Sequence, residues 1–475
     1  MWTYLAQATN FLMGFGSSII VARLVSPRDF GIFGMAVAIT SILNVFLQFG
    51  LARYIIREKT VNRDLLRSLF TVNTILTFGY FIAIQVGAWI SLWTNAPEVG
   101  HFLLVFSLFP LIAIFEFIPG TLCARSMKFG IISTIAVIKA LVIFSVTISF
   151  AHLGFAYMSF AWASVLAAAV TAICYNVACF RPDVWKPRFR DFRKLVHFGI
   201  DMIGVGGLNQ LSSRAGEMAL GSILGLGNLG LYTRASSLPT TLHLNVYGVG
   251  TNVIFSRLSQ DLRDHGEFHQ TYFRFMRLLL GALWPAMLGM AILAQPLVNL
   301  LYGSKWLGAA TPLALLMLST AVTLAIGMSA EIYILRHETR KQAKIETFRA
   351  LVGLFLFLIG ATFSLTLAAL AKVLEVMIAY FIYRKPMDEL VGGRPGELES
   401  VYRESLVLAV AACLPSGVLT LIFHNSPKTP LTLVFGSVAL GVLFWVLLII
   451  RLRHPIVDEV SNLWPVRQNA EPGPR

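Results

Sequence analysis

At 475 residues, with 56% hydrophobic and 13% charged side chains and a mean hydropathy of +0.72, the chain carries more apolar surface than a soluble core can hide. That composition excludes a soluble fold and predicts an all-α polytopic membrane protein. The net charge of +14 falls in basic clusters between apolar runs, which points to anionic lipid at a membrane surface and away from nucleic acid.

Apolar runs of about 18 residues or more, the length that crosses a bilayer's hydrocarbon, can be drawn about fourteen times. They cover 3–23, 31–52, 69–93, 102–122, 131–151, 155–179, 196–222, 230–255, 276–301, 308–332, 347–364, 366–383, 405–423 and 431–450. The first run lacks a basic leader and a small-residue cleavage site, so it is expected to stay as the first helix. Arg23-Leu24-Val25-Ser26-Pro27-Arg28-Asp29-Phe30-Gly31 then forms a tight turn, in which Pro27 stops one helix and Asp29 can cap the next. Cys123, Cys174, Cys179 and Cys413 lie in or beside apolar runs without metal-ligand spacing and read as small hydrophobic residues.

Basic residues collect in alternate loops: Arg53 to Arg67, Arg125 and Lys128, Arg181 to Lys194, Arg257 to Arg277, Arg336 to Arg349, Arg384 to Arg403, and Arg451 to Arg475. These loops take about thirty of the 38 lysines and arginines, which by the positive-inside rule places them, and both termini, in the cytoplasm.

The hairpin over 195–258 carries Asn209, Gln210, Arg214, Glu217, Tyr232, Arg234 and Asn245 at membrane depth, too many polar groups for a passive anchor. Shifted by about 199 positions, it falls on the N-terminus, with Asn209 on Asn10 and Asn228-Leu229-Gly230-Leu231-Tyr232 on Asp29-Phe30-Gly31-Ile32-Phe33. Glu116 to Arg125 and Glu331 to Arg340 repeat the same spacing further on. The expected architecture is therefore about 14 transmembrane helices. Residues 1–187 and 188–390 form two pseudo-repeated six-helix lobes, 391–455 two extra C-terminal helices, and 456–475 a cytoplasmic tail. Parallel repeats of this kind are a transporter design.

Four stretches carry a family resemblance across nearly the whole chain: Ala22 to Gly31, Arg125-Ser126-Met127-Lys128-Phe129, Leu229-Gly230-Leu231-Tyr232-Thr233-Arg234-Ala235, and Leu301-Tyr302-Gly303-Ser304-Lys305-Trp306. In this order they resemble the Wzx-type polysaccharide repeat-unit flippases of the multidrug, oligosaccharidyl-lipid and polysaccharide exporter superfamily. The chain departs from the pattern at Gly216-Glu217-Met218, where relatives carry an acidic residue followed by a basic one, and at Phe255-Ser256, where they often have proline.

The resemblance implies transfer of an oligosaccharide linked to undecaprenyl pyrophosphate across a bacterial inner membrane, for exopolysaccharide, capsule or O-antigen synthesis. A polysaccharide polymerase is an allowed partner. A sugar and a pyrophosphate cross hydrocarbon only through a wet, cationic path. Arg234, Arg214, Lys139 and Lys372 are the candidate cations, and Asn10, Asn209, Gln210, Asn245 and Tyr247 the candidate partners for sugar hydroxyls. Arg214 and Arg234 lead, because guanidinium forks suit phosphate oxygens and both lie in the central hairpin. Pairing of Arg214 with Glu217 and of Lys372 with Glu375, one turn on in each case, is the structural alternative. Glu116, Glu331 and Glu217 are candidates for proton coupling, and no cofactor or metal is expected.

Three other functions stay open. A lipid II flippase shares the span count. A cation-coupled drug antiporter would want a carboxylate deep in the first helix, where residues 3–23 have none. A membrane glycosyltransferase or polymerase would want outer carboxylates or sizeable outer loops, of which Asp29 is the only trace.

Overall fold

The computed structural model describes residues 2–45, 51–58, 61–94, 96–179, 185–186, 188–189, 207–394 and 396–463, and these are helical apart from turns. Two compact units divide the chain, Met1–Thr233 and Arg234–Arg475. The first holds α1 (Trp2–Leu24), α2 (Pro27–Val45), α3 (Leu51–Arg57), α4 (Arg63–Trp93), α5 (Pro97–Phe106), α6 (Leu108–Arg125), α7 (Phe129–His152), α8 (Met158–Ala178) and α9 (Gly207–Leu224). The division falls within α10 (Leu226–Leu242). The second unit continues with a π-helical turn (His243–Tyr247), α11 (Gly248–His265), α12 (His269–Ile292), α13 (Ala294–Tyr302), a 3-10 turn (Ser304–Ala309), α14 (Ala310–Ala325) and α15 (Ser329–Leu335). It ends with α16 (Thr339–Phe363), α17 (Leu365–Val391), α18 (Glu397–Ile422), α19 (Leu431–Arg451) and α20 (Pro455–Leu463).

Among the described residues ten helical stretches are long and apolar enough to cross a membrane, and each coincides with a span read from the sequence. The described parts of the other four sequence spans fall on α1, α2 and α3, α9, and the α10–α11 segment, while 46–50 and 196–206 lie outside the described residues. The long helices expose large apolar side chains, among them Trp93, Val177, Phe363, Phe381 and Leu421, as lipid-facing surfaces do.

In the first unit α7 packs on α1 and α8, and α4 on α5 and α6. Phe30, Phe33, Phe102 and Phe160 interlock at its centre, with the Phe33 and Phe160 rings stacked 4.4 Å apart. In the second unit α12 packs on α18, α16 on α17, and α18 on α19.

Helix α2 starts in a capping box. Ser26 donates its hydroxyl (2.5 Å) and its backbone N–H (3.2 Å) to Asp29 Oδ2, and the Asp29 N–H returns a bond to Ser26 Oγ. Ser26 is thus the cap, Pro27 occupies the first helical position, and Asp29 is the reciprocal partner and not the cap itself.

Two prolines inside long helices leave carbonyls without their helical donors, and neighbouring helices supply new ones. Pro119 of α6 frees Phe115 O, which accepts from Asn176 Nδ2 of α8 at 3.0 Å. Pro285 of α12 frees Gly281 O, which accepts from Trp445 Nε1 of α19 at 2.8 Å.

Within the first unit α2 crosses the start of α10 at two glycines. A Cβ on Gly31 would lie 1.7 Å from Leu226 O, and one on Gly230 would lie 1.8 Å from Pro27 O. The two glycines, and the two carbonyls they face, are related by the offset of about 199 seen in the sequence. The crossing is reciprocal, with each glycine's missing side chain admitting the other helix's backbone.

Candidate functional site

The two units are taken separately. In α6 of the first unit, Glu116 is half-buried, and Lys139 of α7 is the cation that acts on it. The ring of Tyr175 lies where a Cβ on Gly120 would meet it at 3.7 Å, one turn beyond Glu116, so a carboxylate, an ammonium and a phenol from three helices share one region. Neither Glu116 nor Lys139 makes an ion pair among the described residues, and Lys139 is also half-buried.

Arg214 Nη1 donates to Glu217 Oε2 at 2.7 Å in α9, joining two of the singled-out residues in an i,i+3 pair. Asn10 of α1 is half-buried, its Oδ1 having no hydrogen-bond partner among the described residues, and Gln210 lies half-buried in α9. Asn209 lies in α9, but its side chain is outside the described residues.

In the second unit Arg234 is 3% exposed. Its guanidinium sits 4.1 Å from the centre of the Tyr302 ring and 5.6 Å from that of Trp306, both fully buried. Two of the four recognisable stretches therefore meet here, one supplying the cation and the other the rings. Arg125 explains a third stretch. Its guanidinium hydrogen-bonds Ile55 O and Glu58 O (2.6 Å to Glu58), capping the C-terminal carbonyls of α3, whose Leu51, Tyr54 and Ile55 pack on α4 and α6.

Tyr247 ends the π-helical turn, and its hydroxyl accepts the N–H of Met328 at 2.7 Å. Met328 has a φ of 60° at the break between α14 and α15, so two departures from regular helix brace each other. Such π-turns concentrate at functional sites. Glu331 follows in the first turn of α15 and is the acidic group that acts on Tyr247. Asn245 is exposed and donates back to Thr241 O in its own helix.

Lys372 belongs to a network that helical spacing alone reveals only in part. Its Nζ is 2.8 Å from Glu375 Oε2, while Arg349 Nε of α16 is 3.3 Å from Glu375 Oε1. Arg349 Nη1 also reaches Glu346 (3.1 Å), and Glu346 accepts the Tyr383 hydroxyl at 2.7 Å. Sequence reasoning found the Lys372–Glu375 pair and missed Arg349, Glu346 and Tyr383, since their meeting depends on how α16 aligns with α17. The signal available was the charge of Glu346 and Arg349 at the start of an apolar run.

Two of the four free cysteines lie together. Cys123 Sγ, at the end of α6, lies 2.7 Å from Cys179 Sγ, just past α8. Among the described residues, no three His, Cys, Asp or Glu side chains gather in a way that could hold a metal.

The described residues form a helical, multi-pass membrane protein with ionisable side chains set into apolar helices, the setting of a pathway through the membrane. Comparison with known proteins gives the family. Residues 20–311 match the family described as polysaccharide biosynthesis protein, and the chain belongs to that family.

Among curated relatives, the chain is 21% identical over 97% of its length to the lipopolysaccharide biosynthesis protein WzxC of Escherichia coli, covering 94% of that protein. It is 19% identical to an uncharacterised membrane protein of the cps region of Klebsiella pneumoniae, over 81% of each chain. It is 23% identical to the succinoglycan biosynthesis transport protein ExoT of Rhizobium meliloti, over 68% of this chain and 65% of that one. Among solved structures, the lipid II flippase MurJ in an inward closed conformation superimposes with a TM-score of 0.73 at 14% identity, covering 96% of this chain and 99% of that one. An inward-facing multidrug transporter of the MATE family gives a TM-score of 0.58 at 14% identity, over 80% and 95%. These likenesses show the fold alone, that of an all-α, multi-pass membrane protein.

Proposed function

We propose that the chain is a flippase that moves oligosaccharide repeat units linked to undecaprenyl pyrophosphate from the cytoplasmic to the periplasmic leaflet of a bacterial inner membrane. The observation that carries this reading is the family match over residues 20–311, joined to relatives whose names place them in polysaccharide synthesis and transport. The physics agrees, because the cargo needs charge and hydrogen bonds at membrane depth and the helices supply both.

In this reading the protein has about fourteen spans in two six-helix lobes and two further helices, with both termini in the cytoplasm, as the basic loops support. Arg214, Lys139 and Lys372 are the cations offered to the pyrophosphate. Asn10, Asn209, Gln210, Asn245 and Tyr247 are offered to sugar hydroxyls. Glu116 and Glu331 stand beside a lysine and a helix break, which suits groups that change partner during a transport cycle, and Glu217 is the counter-ion of Arg214. Arg234, covered by Tyr302 and Trp306, joins these cations once the rings uncover it.

Deleting the gene should stop surface polysaccharide and accumulate the lipid-linked repeat unit in the inner leaflet. Normal export in the deletion strain would refute the reading. Rescue of a strain depleted of its lipid II flippase would instead assign the chain to peptidoglycan synthesis.

A further inference from the structure

Four charges meet where α16 crosses α17, and their arrangement is asymmetric. Glu375 lies behind, its side chain 9% exposed, while Arg349 and Lys372 stand in front at 26% and 29%. Each oxygen of the Glu375 carboxylate engages one cation, Oε1 with Arg349 Nε and Oε2 with Lys372 Nζ. Space for that carboxylate exists because residue 353 of α16 is glycine. A Cβ there would stand 2.6 Å from Glu375 Cδ and 2.7 Å from Oε2.

An i,i+3 lysine–glutamate pair needs neither the arginine nor the gap. Nor is the network explained as a stabilising device, since the cost of desolvating buried ion pairs offsets much of their attraction. The cluster thus presents two partly exposed cations and an internal carboxylate that gives one oxygen to each, the way an oxyanion would.

We propose that Arg349 and Lys372 form an anion site for a phosphoryl group of the transported lipid, and that Glu375 is its built-in counter-ion, holding both cations when the site is empty. The proposal rests on the flippase reading and adds to it a site and a reason for its acidic member. A carrier must return unloaded, and two uncompensated, partly buried cations between helices would make that step costly. Glu375, together with Glu346, which pairs with Arg349 at 3.1 Å, keeps the empty site neutral, and Glu375 yields to a ligand carrying more charge and more acceptor oxygens. Release follows the same exchange in reverse.

The test uses the purified full-length protein in phosphatidylcholine nanodiscs, with inorganic pyrophosphate titrated by calorimetry. Glu375→Gln removes the competing carboxylate charge and should bind pyrophosphate at least about tenfold more tightly than wild type. Gly353→Ala keeps every charge but forces Glu375 away from its cations, and should shift affinity in the same direction. Adding Arg349→Gln to either variant should return binding to the level of empty discs. Farnesyl pyrophosphate in the disc should compete; if it does not, the site takes free phosphate and the assignment to the transported lipid falls.

Wild-type affinity in both Glu375→Gln and Gly353→Ala, or unchanged affinity after Arg349 is removed, overturns the proposal. The two variants perturb the site by unrelated means, so misfolding of one leaves the other to decide. Export in cells tests the flippase reading separately, so a silent site in a strain that depends on the gene for export refutes the anion site alone.

Discussion

The reciprocal crossing of α2 and α10 makes a quantitative demand on two glycines. Replacing Gly31 with alanine puts a methyl 1.7 Å from Leu226 O, and Gly230→Ala puts one 1.8 Å from Pro27 O and 2.9 Å from the Gly31 nitrogen. A carbon–oxygen contact needs about 3.3 Å, so the helices must separate by roughly 1.5 Å at the crossing. The obstacle in each case is backbone, which cannot rotate aside as a side chain could. Overpacking of this kind costs about 3 kcal/mol, the upper end for one added methyl, less up to ~1 kcal/mol gained from alanine's better helix propensity. That should lower the apparent melting temperature of the detergent-solubilised protein by a few degrees.

Gly79→Ala in α4 is the control, since nothing lies within 4 Å of its added Cβ, and it should be neutral or slightly stabilising. Because either alanine alone opens the same crossing, the double variant should cost less than the sum of the two. If Gly31→Ala and Gly230→Ala melt with Gly79→Ala, or if their effects simply add, the reciprocal crossing is not what these glycines serve.

Other predictions follow from single contacts. Arg125→Ala strips the end of α3 of its cap and should cost about 2 kcal/mol, read as faster hydrogen exchange over residues 51–58 with little change in α7. Mild oxidation of the membrane-embedded protein with diamide should join Cys123 to Cys179 within one chain, blocking two thiols, and Cys179→Ser should abolish that loss. His454, packed where a Cβ on Gly281 would meet it at 2.9 Å, is held neutral by burial and by Arg277, which lower its pKa below the usual 6.5. The unfolded chain then binds the extra proton, so stability should fall as pH drops below about 6.5, and His454→Gln should flatten that part of a melting-temperature profile.

How much of this was legible beforehand depended on distance along the chain. Apolar length announced the ten long helices, and one-turn spacing announced Arg214–Glu217 and Lys372–Glu375, because helix geometry fixes which side chains are neighbours. The recognisable stretches were visible as motifs, but their reason was not. Arg234 matters to Leu301–Trp306 only once α10 and α13 pack, and Ser26-Pro27-Arg28-Asp29 combines a capping box with the carbonyl that Gly230 receives. Arg349 could not be tied to Glu375 from one sequence, since 26 positions and a helix reversal separate them. Cys123 and Cys179, 56 positions apart, read as hydrophobic residues for the same reason.

The intramembrane charges sort by how they are satisfied, and the sorting bears on mechanism. Arg214 is neutralised within its own helix, so it can travel with α9 as a unit while still presenting donors to an anion. Lys372 and Arg349 share a carboxylate across two helices, so any change in the alignment of α16 against α17 exposes charge, and that coupling of geometry to electrostatics lets an anion bias the alignment. Glu116 and Lys139 lie on α6 and α7 and make no ion pair among the described residues, so a proton on Glu116 changes the local net charge without breaking a bond. If Glu116→Gln uncouples export from the pH gradient while Glu375→Gln raises the affinity for pyrophosphate, proton coupling and anion binding fall in different units of the chain.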